Sequence, residues 1–278
     1  MIPPGDIRNC IAALAEAEPL VTELFQHRFE ERDGDTIGGH AFGNLFITAM
    51  ADVTGSMERG IAETSRVLAV RGQIVPASLA DVTLNARLSN GRMIRGESHI
   101  PETGEPPAEV FIEPSDAPAH PQALRAIHEA DLIVIGPGSL YTSILPNLLV
   151  PEIGQALFDS NANRLYISNV ATQAGETDGY TAADHISAIQ RHIGRTDAVQ
   201  IVLANSNLPS EPLPKEWKSI PVTAAGDADY GGARLVLLDI VDHDRRYQHD
   251  GERLASAVMR LYYERDLRKQ AAVAAKND

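Results

Sequence analysis

The alternation of strand-like and helix-like segments in the second half of the chain constrains the fold most strongly. Strands that are apolar at nearly every position are predicted at 131–135, 165–170, 198–204 and 234–240. Helices are predicted at 121–130, 151–158, 182–193 and 252–269. Continuous apolar runs fit strands covered on both faces, and their alternation with helices favours a parallel sheet. The sequence therefore predicts an α/β fold built on a mainly parallel sheet.

Residues 73–113 follow a different pattern, in which the apolar stretches are short and closely spaced. Short strands are predicted at 74–75, 82–88, 93–94 and 110–112. An exposed loop is predicted at 101–107, between the last two of these strands. Asn90-Gly91 separates two of these strands and is a strong signal for a hairpin turn. We interpret 73–113 as a small antiparallel insertion in one domain spanning 1–278. Helices are predicted before it at 8–15 (capped by Asp6), 19–29, 41–53 and 57–70.

The composition narrows the class of protein. The chain has 278 residues and a formal net charge of −14, which disfavours binding to nucleic acid through a basic face. Its one cysteine, Cys10, cannot form an internal disulfide, and this fits a reducing compartment. No apolar run reaches the roughly 18 residues of a membrane span. We therefore expect a cytoplasmic protein without a membrane span or a nucleic-acid partner, and the sequence leaves a homodimer open.

A polar cluster directly follows the strand predicted at 131–135. Residues 136–143 read GPGSLYTS, and they precede a predicted helix start. Ligands of open α/β sheets lie beyond the carboxyl ends of the strands, and the N–H groups at a helix start favour an anion. We predict a phosphate site whose contacts are Gly136, Gly138, Ser139, Tyr141, Thr142, Ser143 and Asn147. The alternative is a tight turn with a hydroxyl helix cap, and no Walker lysine is present.

A second polar cluster follows the strand predicted at 165–170. Small and polar residues succeed one another from Asn169 to His185. The ligand contacts predicted here are Asn169, Thr172, Gln173, Glu176, Thr177 and Asp178. The alternative is that Thr181 or Asp178 caps the next helix, but a cap explains only one or two residues of the cluster.

Two weaker sets lie near the N-terminus. The first consists of His40, Gly43 and Asn44, where a glycine within a helical pattern costs roughly 1 kcal/mol against alanine and needs a packing or ligand reason. The second consists of Asp6, Arg8 and Asn9, where the arginine could bind phosphate in a bidentate way or could be an ordinary surface residue. The histidines show no metal-ligand spacing, so no metal-binding residue is predicted.

Four motifs together resemble one family across essentially the whole chain. They are PPGDIRNCIAALA at 3–15, GGHAFGNLF at 38–46, ADLIVIGPGSLYTSILPNLLVPEI at 130–153 and NVATQAGETDGYTAADH at 169–185. These motifs resemble the YvcK group (gluconeogenesis factors) of the CofD-like proteins. The resemblance implies a Rossmann-like, doubly wound fold and a UDP-sugar-binding regulator of cell-wall and cell-shape homeostasis and of gluconeogenic growth. The alternative is a CofD-type 2-phospho-L-lactate transferase acting on a deazaflavin precursor, and a third is a scaffold protein. Both of the first two bind a nucleotide-sugar or another diphosphate ligand.

The most serious departure from the family pattern lies at the N-terminus. Family members normally place a strand, a GGGTGL-like loop and an Asp-Asp-Gly-Gly segment before PPGDIRN, which here starts at Pro3. We therefore expect this chain to lack the first nucleotide loop and an acidic pair, and to bind nucleotide and any accompanying Mg²⁺ more weakly. We also expect an exposed apolar strand edge.

Overall fold

A computed structural model describes residues 5–31, 36–208, 218–245 and 247–274 of the chain, with side chains described up to residue 264. The chain divides into two compact units. One unit contains the residues up to 82 together with 116–126 and 150–153, and the other contains 83–115, 127–149 and the residues from 154 onward. The prediction of one domain over 1–278 stays a prediction.

The first unit is helical. Its helices are α1 (Gly5–Leu14), α2 (Pro19–Gln26), α3 (Phe42–Thr54) and α4 (Met57–Val67). Ile11, Phe25, Ile47, Ile61 and Leu68 form its buried core. Ile7 and Ile11 of α1, and Met57 and Ile61 of α4, are four residues apart and pack on the same core, as the inward face of a helix requires. The helical prediction for this region is therefore confirmed, with the changes in boundaries given next.

Three helix ends of the first unit differ from the predictions by more than one residue. Asp6 lies in the first turn of α1 and not before it. The helix predicted at 19–29 ends at Gln26, because the backbone N–H of Phe29 donates to the carbonyl of His40 and that of Phe42 donates to His27. The helix predicted at 57–70 ends at Val67, and Ala69 takes a positive φ of 49° just beyond it.

The second unit contains the antiparallel sheet. Its strands are β1 (Thr83–Arg87), β2 (Met93–Arg95) and β3 (Glu109–Glu113), in the order β2-β1-β3. Gly91 has a φ of 84°, as the predicted hairpin turn requires, so that turn is confirmed. The strand predicted at 74–75 is wrong, because Ile74 packs on the helical core of the first unit and Pro76 cannot donate to a ladder. The loop predicted as exposed contains a short helical turn, Pro101–Thr103, and a buried Pro107.

The same unit contains the parallel sheet. Its strands are β4 (Leu132–Ile135), β5 (Asn163–Ile167), β6 (Ile201–Asn205) and β7 (Arg234–Leu238), in the order β4-β5-β6-β7. The remaining helices are α5 (Pro121–Glu129), α6 (Leu145–Leu148), α7 (Pro151–Asp159), α8 (Ala182–Ile193) and α9 (Gly251–Ala274). Leu165 and Leu203 of the sheet pack with Ala257 and Leu261 of α9. The α/β prediction of a parallel sheet with a small antiparallel sheet is therefore confirmed, with β5 and β7 ending two or three residues earlier than predicted.

Over the described residues, no helix combines the length and the apolar character that a membrane crossing requires.

The helix α8 shows how local sequence sets its ends. The hydroxyl of Thr181 accepts from the N–H of Asp184, whose carboxylate accepts from the N–H of Thr181. This capping box begins the helix, and Gly194, with a φ of 71°, ends it.

Candidate functional site

The loop that follows β4 is anchored by its apolar residues. Leu140, Tyr141 and Ile144 are buried, and the backbone N–H groups of Ser143 and Ile144 both donate to the carbonyl of Ser139. Leu140–Ile144 form one π-helical turn that leads into the short helix α6. The predicted helix start is thus only a brief turn. A helix dipole contributes little here, and an anion would have to be held by loop N–H groups and side chains.

Gly136 allows this loop to approach the next strand. It has a φ of 78°, and a Cβ atom at this position would lie 3.1 Å from the carbonyl oxygen of Ile167 in β5. A side chain would therefore be strained in conformation and crowded in space. The two neighbouring strands and the loop after β4 consequently meet without an intervening side chain.

The loop that follows β5 holds the loop that follows β4. The side-chain amide of Asn169 donates to the carbonyl of Gly138 over 2.9 Å, and its Oδ1 accepts from the N–H of Gly138 over 3.1 Å. The Nε2 of Gln173 donates to the hydroxyl of Ser139 over 2.6 Å. We call residues 136–143 and 169–178 the paired loops. They lie side by side because β4 and β5 are adjacent and parallel.

A buried carboxylate forms the third link of the paired loops. Glu176 is 4% exposed, and both of its carboxylate oxygens accept from the hydroxyl of Thr142, over 3.1 and 3.2 Å. A threonine hydroxyl has one hydrogen, so Thr142 has no further hydrogen to donate to an anion. Ser139 differs, since its oxygen accepts from Gln173 and its hydrogen remains available.

Other predicted site residues bond to the protein itself. Tyr141 shares a 2.8 Å hydrogen bond with the hydroxyl of Tyr180, Thr172 accepts from the N–H of Ile220, Thr177 accepts from the N–H of Gln173, Asp178 accepts from the N–H of Gly175, and Asn147 donates to the carbonyl of Ser143. These bonds give the paired loops their shape. That these residues contact a ligand stays a prediction.

One acceptor in the paired loops has no hydrogen-bond donor. The Oε1 atom of Gln173 is buried and lacks a hydrogen-bond partner among the described residues. An unpaired buried polar atom costs free energy, and a ligand hydroxyl or N–H group would remove that cost. The same amide donates through Nε2 to the hydroxyl of Ser139, so an acceptor and a donor lie close together where the paired loops meet.

The structure brings two of the N-terminal candidates together within the first unit. A Cβ atom at Gly43 would lie 2.5 Å from the carbonyl oxygen of Phe25 and 2.8 Å from Cγ of Arg8. The glycine of α3 thus has a packing reason, which is to let α2 and the side chain of Arg8 approach. Burial and the charge of Arg28 lower the pKa of Arg8.

The remaining N-terminal candidates are more varied. Arg8 donates to Oδ1 of Asn9 over 2.8 Å, while its Nε atom and Oδ1 of Asn44 are buried without a partner among the described residues. His40 and Asp6 are exposed. Arg8 and Asn44 therefore have unmet hydrogen-bonding capacity, whereas His40 and Asp6 show no such sign. These assignments to a ligand stay predictions.

Sequence reasoning missed a polar cluster at the carboxyl ends of β6 and β7. The carboxylate of Asp239 accepts from Arg253 over 2.9 Å and lies 3.0 Å from Nε2 of His243. Burial raises the pKa of Asp239, but the hydrogen bond to His243 and the charges of His243 and Arg253 lower it by more. The pKa of Asp239 therefore lies below its usual range. Asn205 is nearly buried and accepts from the N–H of Ile240. The rule that identified the paired loops, polar residues at the end of an apolar strand, would have identified Asn205 and Asp239, but not His243 and Arg253, which lie farther along the chain.

The described residues bring together no group of three or more histidine, cysteine, aspartate or glutamate side chains that could hold a metal ion. A Mg²⁺ ion accompanying a nucleotide takes most of its ligands from phosphates and water, with one or two carboxylates. Glu176 and Asp178 are the carboxylates that the paired loops offer. Binding of Mg²⁺ with a nucleotide stays a prediction.

Known proteins match this chain over most of its length. The family described as 2-phospho-L-lactate transferase CofD matches residues 1–240. A relative from Nostoc sp. is 49% identical over 268 residues, which cover 94% of this chain and 58% of that relative. The Bacillus subtilis protein named "Gluconeogenesis factor" is 44% identical over 271 residues, covering 94% of this chain and 83% of the relative.

Solved structures agree with these sequence matches. Two crystal structures of a Bacillus halodurans protein, one of them described as a member of the UPF0052 family, match with TM-scores of 0.84 and 0.81. They are 42% and 41% identical to this chain, and each match covers 92% of this chain and 83% of the other. The likeness extends to fold and sequence alike.

Proposed function

This chain belongs to the CofD family and, within it, to the group of gluconeogenesis factors, and from that premise we propose that it is a nucleotide-sugar-binding regulator. Its ligand is a UDP-sugar or a related nucleoside diphosphate. It acts in the cytoplasm on cell-wall and cell-shape homeostasis and on growth with gluconeogenic carbon. The name of the Bacillus subtilis relative supports the last part of this proposal.

The observation that carries the proposal is the interlocking of the paired loops at the carboxyl ends of β4 and β5. Ligands of parallel α/β sheets bind at such ends. A diphosphate lies against residues 136–143, where the hydroxyl of Ser139 donates to a phosphate oxygen. The unpaired Oε1 of Gln173 accepts from a hydroxyl of the ribose or the sugar. Thr142 holds the loops in place and does not donate to the ligand, whereas Asn169 holds them with one amide hydrogen and can donate its second hydrogen to the ligand.

The second candidate function is 2-phospho-L-lactate transfer to a deazaflavin precursor, which the description of the matching family favours. Such a reaction would use the same diphosphate site. Phosphoryl-group transfer needs charge neutralisation by a metal or by a basic clamp. The paired loops offer two carboxylates, Glu176, which accepts from the hydroxyl of Thr142, and Asp178, which accepts from the N–H of Gly175, and no lysine or arginine. We therefore place binding before transfer.

Calorimetry with UDP-N-acetylglucosamine, with and without Mg²⁺, tests the proposal. The wild-type chain is expected to bind, and Ser139→Ala is expected to weaken binding about 2- to 12-fold, the equivalent of one lost hydrogen bond. Ser187→Ala, at an exposed position on α8, is the matched control and should leave the affinity unchanged. Absence of binding by the wild-type chain at millimolar ligand would refute the proposal.

A transfer assay separates the two candidates. The chain is incubated with guanosine-diphosphate-linked phospholactate and a deazaflavin precursor, and the phospholactyl product is sought by mass spectrometry. We expect no product above that of a chain-free control. Product whose formation depends on the chain would replace the regulator by the transferase.

A further inference from the structure

A cavity of about 510 Å³ lies within the second unit, and none of its lining residues belongs to the paired loops. The ends of β1 and β3 form one side of it, and the last turn of α8 forms another. Its apolar wall is made by Leu88, Val110, Phe111 and Leu149. The volume is in the range of about 300–1,000 Å³ that is typical of sites for small molecules. We call it the Arg191 cavity, after the cation at its rim.

The charged side chains of the Arg191 cavity leave one cation in excess. Arg87 and Glu109 are direct partners in the register of β1 and β3, and their charged groups lie 3.2 Å apart. This pair neutralises itself. Arg191 is exposed on the opposite side, and Glu109 is the one acid among the described residues that line the cavity. An anionic group therefore finds its counter-charge at Arg191.

His192, the neighbouring lining residue, adds no charge. Its Nδ1 lies 2.7 Å from the carbonyl oxygen of Ala188, and its Nε2 accepts from the N–H of Val110 over 3.0 Å. A ring nitrogen that faces a carbonyl carries the hydrogen, and one that faces an N–H cannot, so the ring is a neutral tautomer with the hydrogen on Nδ1. Burial also lowers the pKa of His192. Both ring nitrogens are occupied, and the ring fixes α8 to β3.

The Arg191 cavity adjoins the back of the loop after β4 through one side chain. The ring of Tyr141 is fully buried, and its centroid lies 5.8 Å from that of His192 in an edge-to-face arrangement. The hydroxyl of Tyr141 forms a hydrogen bond with the hydroxyl of Tyr180. Burial raises the pKa of the Tyr141 hydroxyl, and the positive charge of Arg191 opposes that rise. A movement of Arg191 or His192 toward a bound molecule therefore changes the contacts of Tyr141, which lies within residues 136–143.

We propose that the Arg191 cavity is a second ligand site, that it takes a small molecule with a flat apolar body and one anionic group, and that its occupation changes the conformation of residues 136–143 through Tyr141. The anion pairs with Arg191, and the apolar body lies against Phe111, Val110 and Leu149. Binding at this cavity does not depend on the function proposed above, whereas any effect on nucleotide-sugar affinity rests on it.

The first test uses 2-naphthoate as the probe and uncharged 2-naphthamide as its matched ligand, with binding followed by titration of backbone amide NMR shifts. Naphthoate is expected to bind at least tenfold more tightly than naphthamide, with shifts at the amides of Val110, Phe111 and His192. Arg191→Met is expected to weaken naphthoate about tenfold and to leave naphthamide unchanged. Arg191→Lys should retain part of the preference, and Arg125→Met, an exposed arginine outside the cavity, should retain all of it.

The outcomes decide between clear alternatives. Equal affinity for the two probes, an unaffected Arg191→Met variant, or no binding at millimolar naphthoate would overturn the site. If Arg191→Met is poorly folded, as its amide spectrum would show, the comparison of the two probes on the wild-type chain still decides the question.

The second test addresses the coupling. Saturation with naphthoate is expected to shift the amides of Gly138 and Tyr141, and Tyr141→Phe, which removes the hydroxyl, should reduce the shift at Gly138. Naphthoate binding without any change at residues 136–143 would refute the coupling and leave the cavity as a site. The affinity for UDP-N-acetylglucosamine is measured with and without naphthoate, and by linkage the two ligands must affect each other equally. If the nucleotide-sugar does not bind at all, the proposed function fails while the amide shifts still report the coupling.

Discussion

Replacing Asn169 with alanine is expected to lower the free energy of unfolding by about 1–3 kcal/mol. The side chain makes two hydrogen bonds to one peptide group, that of Gly138, at 2.9 and 3.1 Å. Each intramolecular hydrogen bond contributes roughly 0.5–1.5 kcal/mol, and the two bonds together give the stated range. Of the side-chain hydrogen bonds between the paired loops, those of Gln173 and Glu176 would remain, so the loop after β4 would be held less firmly and the affinity for UDP-N-acetylglucosamine should fall as well.

Urea unfolding followed by circular dichroism measures the first effect, and calorimetry measures the second. Asn169→Asp is an instructive companion: it keeps an acceptor for the N–H of Gly138 but turns a carboxylate oxygen toward the carbonyl oxygen of Gly138, so its loss should be at least as large as that of Asn169→Ala. Gln155→Ala is the control: its amide bonds across one turn of α7 to Asp159, and its loss should cost less than about 0.5 kcal/mol. If Asn169→Ala lost affinity but kept its full stability, Asn169 would be a ligand contact, and our view of it as the residue that holds Gly138 would be wrong.

Two further substitutions test the surroundings of the paired loops. Gly175→Ala is expected to destabilise the protein by roughly 1–3 kcal/mol, because Gly175 has a φ of 80° and a Cβ atom there would collide with the carbonyl oxygen of Pro101. Gly179→Ala is the control and should cost less, since Gly179 has a φ of 74° but open space around it. Equal losses of the two variants in urea unfolding would contradict the argument from the collision. His192→Gln is expected to reduce the loss of stability between pH 8 and pH 5. Burial lowers the pKa of His192 in the folded state, so the unfolded chain takes up a proton first as the pH falls through about 6.5. The wild-type chain therefore loses stability from that pH down to the pKa of the folded state. The same unfolding measurement on His128→Gln, at an exposed position of α5, should follow the wild-type chain, and parallel pH profiles for His192→Gln and wild type would refute the prediction.

The parts of the fold that depend on neighbouring residues could be predicted from the sequence. The helix α8 was predicted at 182–193 and has those bounds, because the cap residues Thr181 and Asp184 and the terminating Gly194 all lie within one turn of its ends. The hairpin at Asn90-Gly91 is local in the same sense. The strand predicted at 74–75 failed because a short apolar run packs equally well on helices, and only the tertiary structure decides between them.

The candidate site shows the same limit more sharply. A polar residue after a strand can contact a ligand or hold the next loop, and both roles ask for the same side chains. The bond between Asn169 and Gly138 spans 31 residues, and those of Gln173 and Glu176 with the first loop span 34, so no local pattern reveals them. The sequence therefore predicts where the polar cleft lies. It does not predict that Thr142 is occupied by Glu176 while Ser139 keeps a hydrogen to donate.

The links between the paired loops also define what can be exchanged between proteins. Residues 136–143 owe only part of their shape to their own contacts, since the side chains of Asn169, Gln173 and Glu176 hold them from a second segment. A graft of the first loop alone onto another parallel sheet would bring the glycines and hydroxyls but not the conformation in which they meet a ligand. The transferable module is therefore the two segments together with the adjacent pair of strands. A substitution at one residue of a hydrogen-bonded pair between the two segments requires a compensating substitution at the other residue.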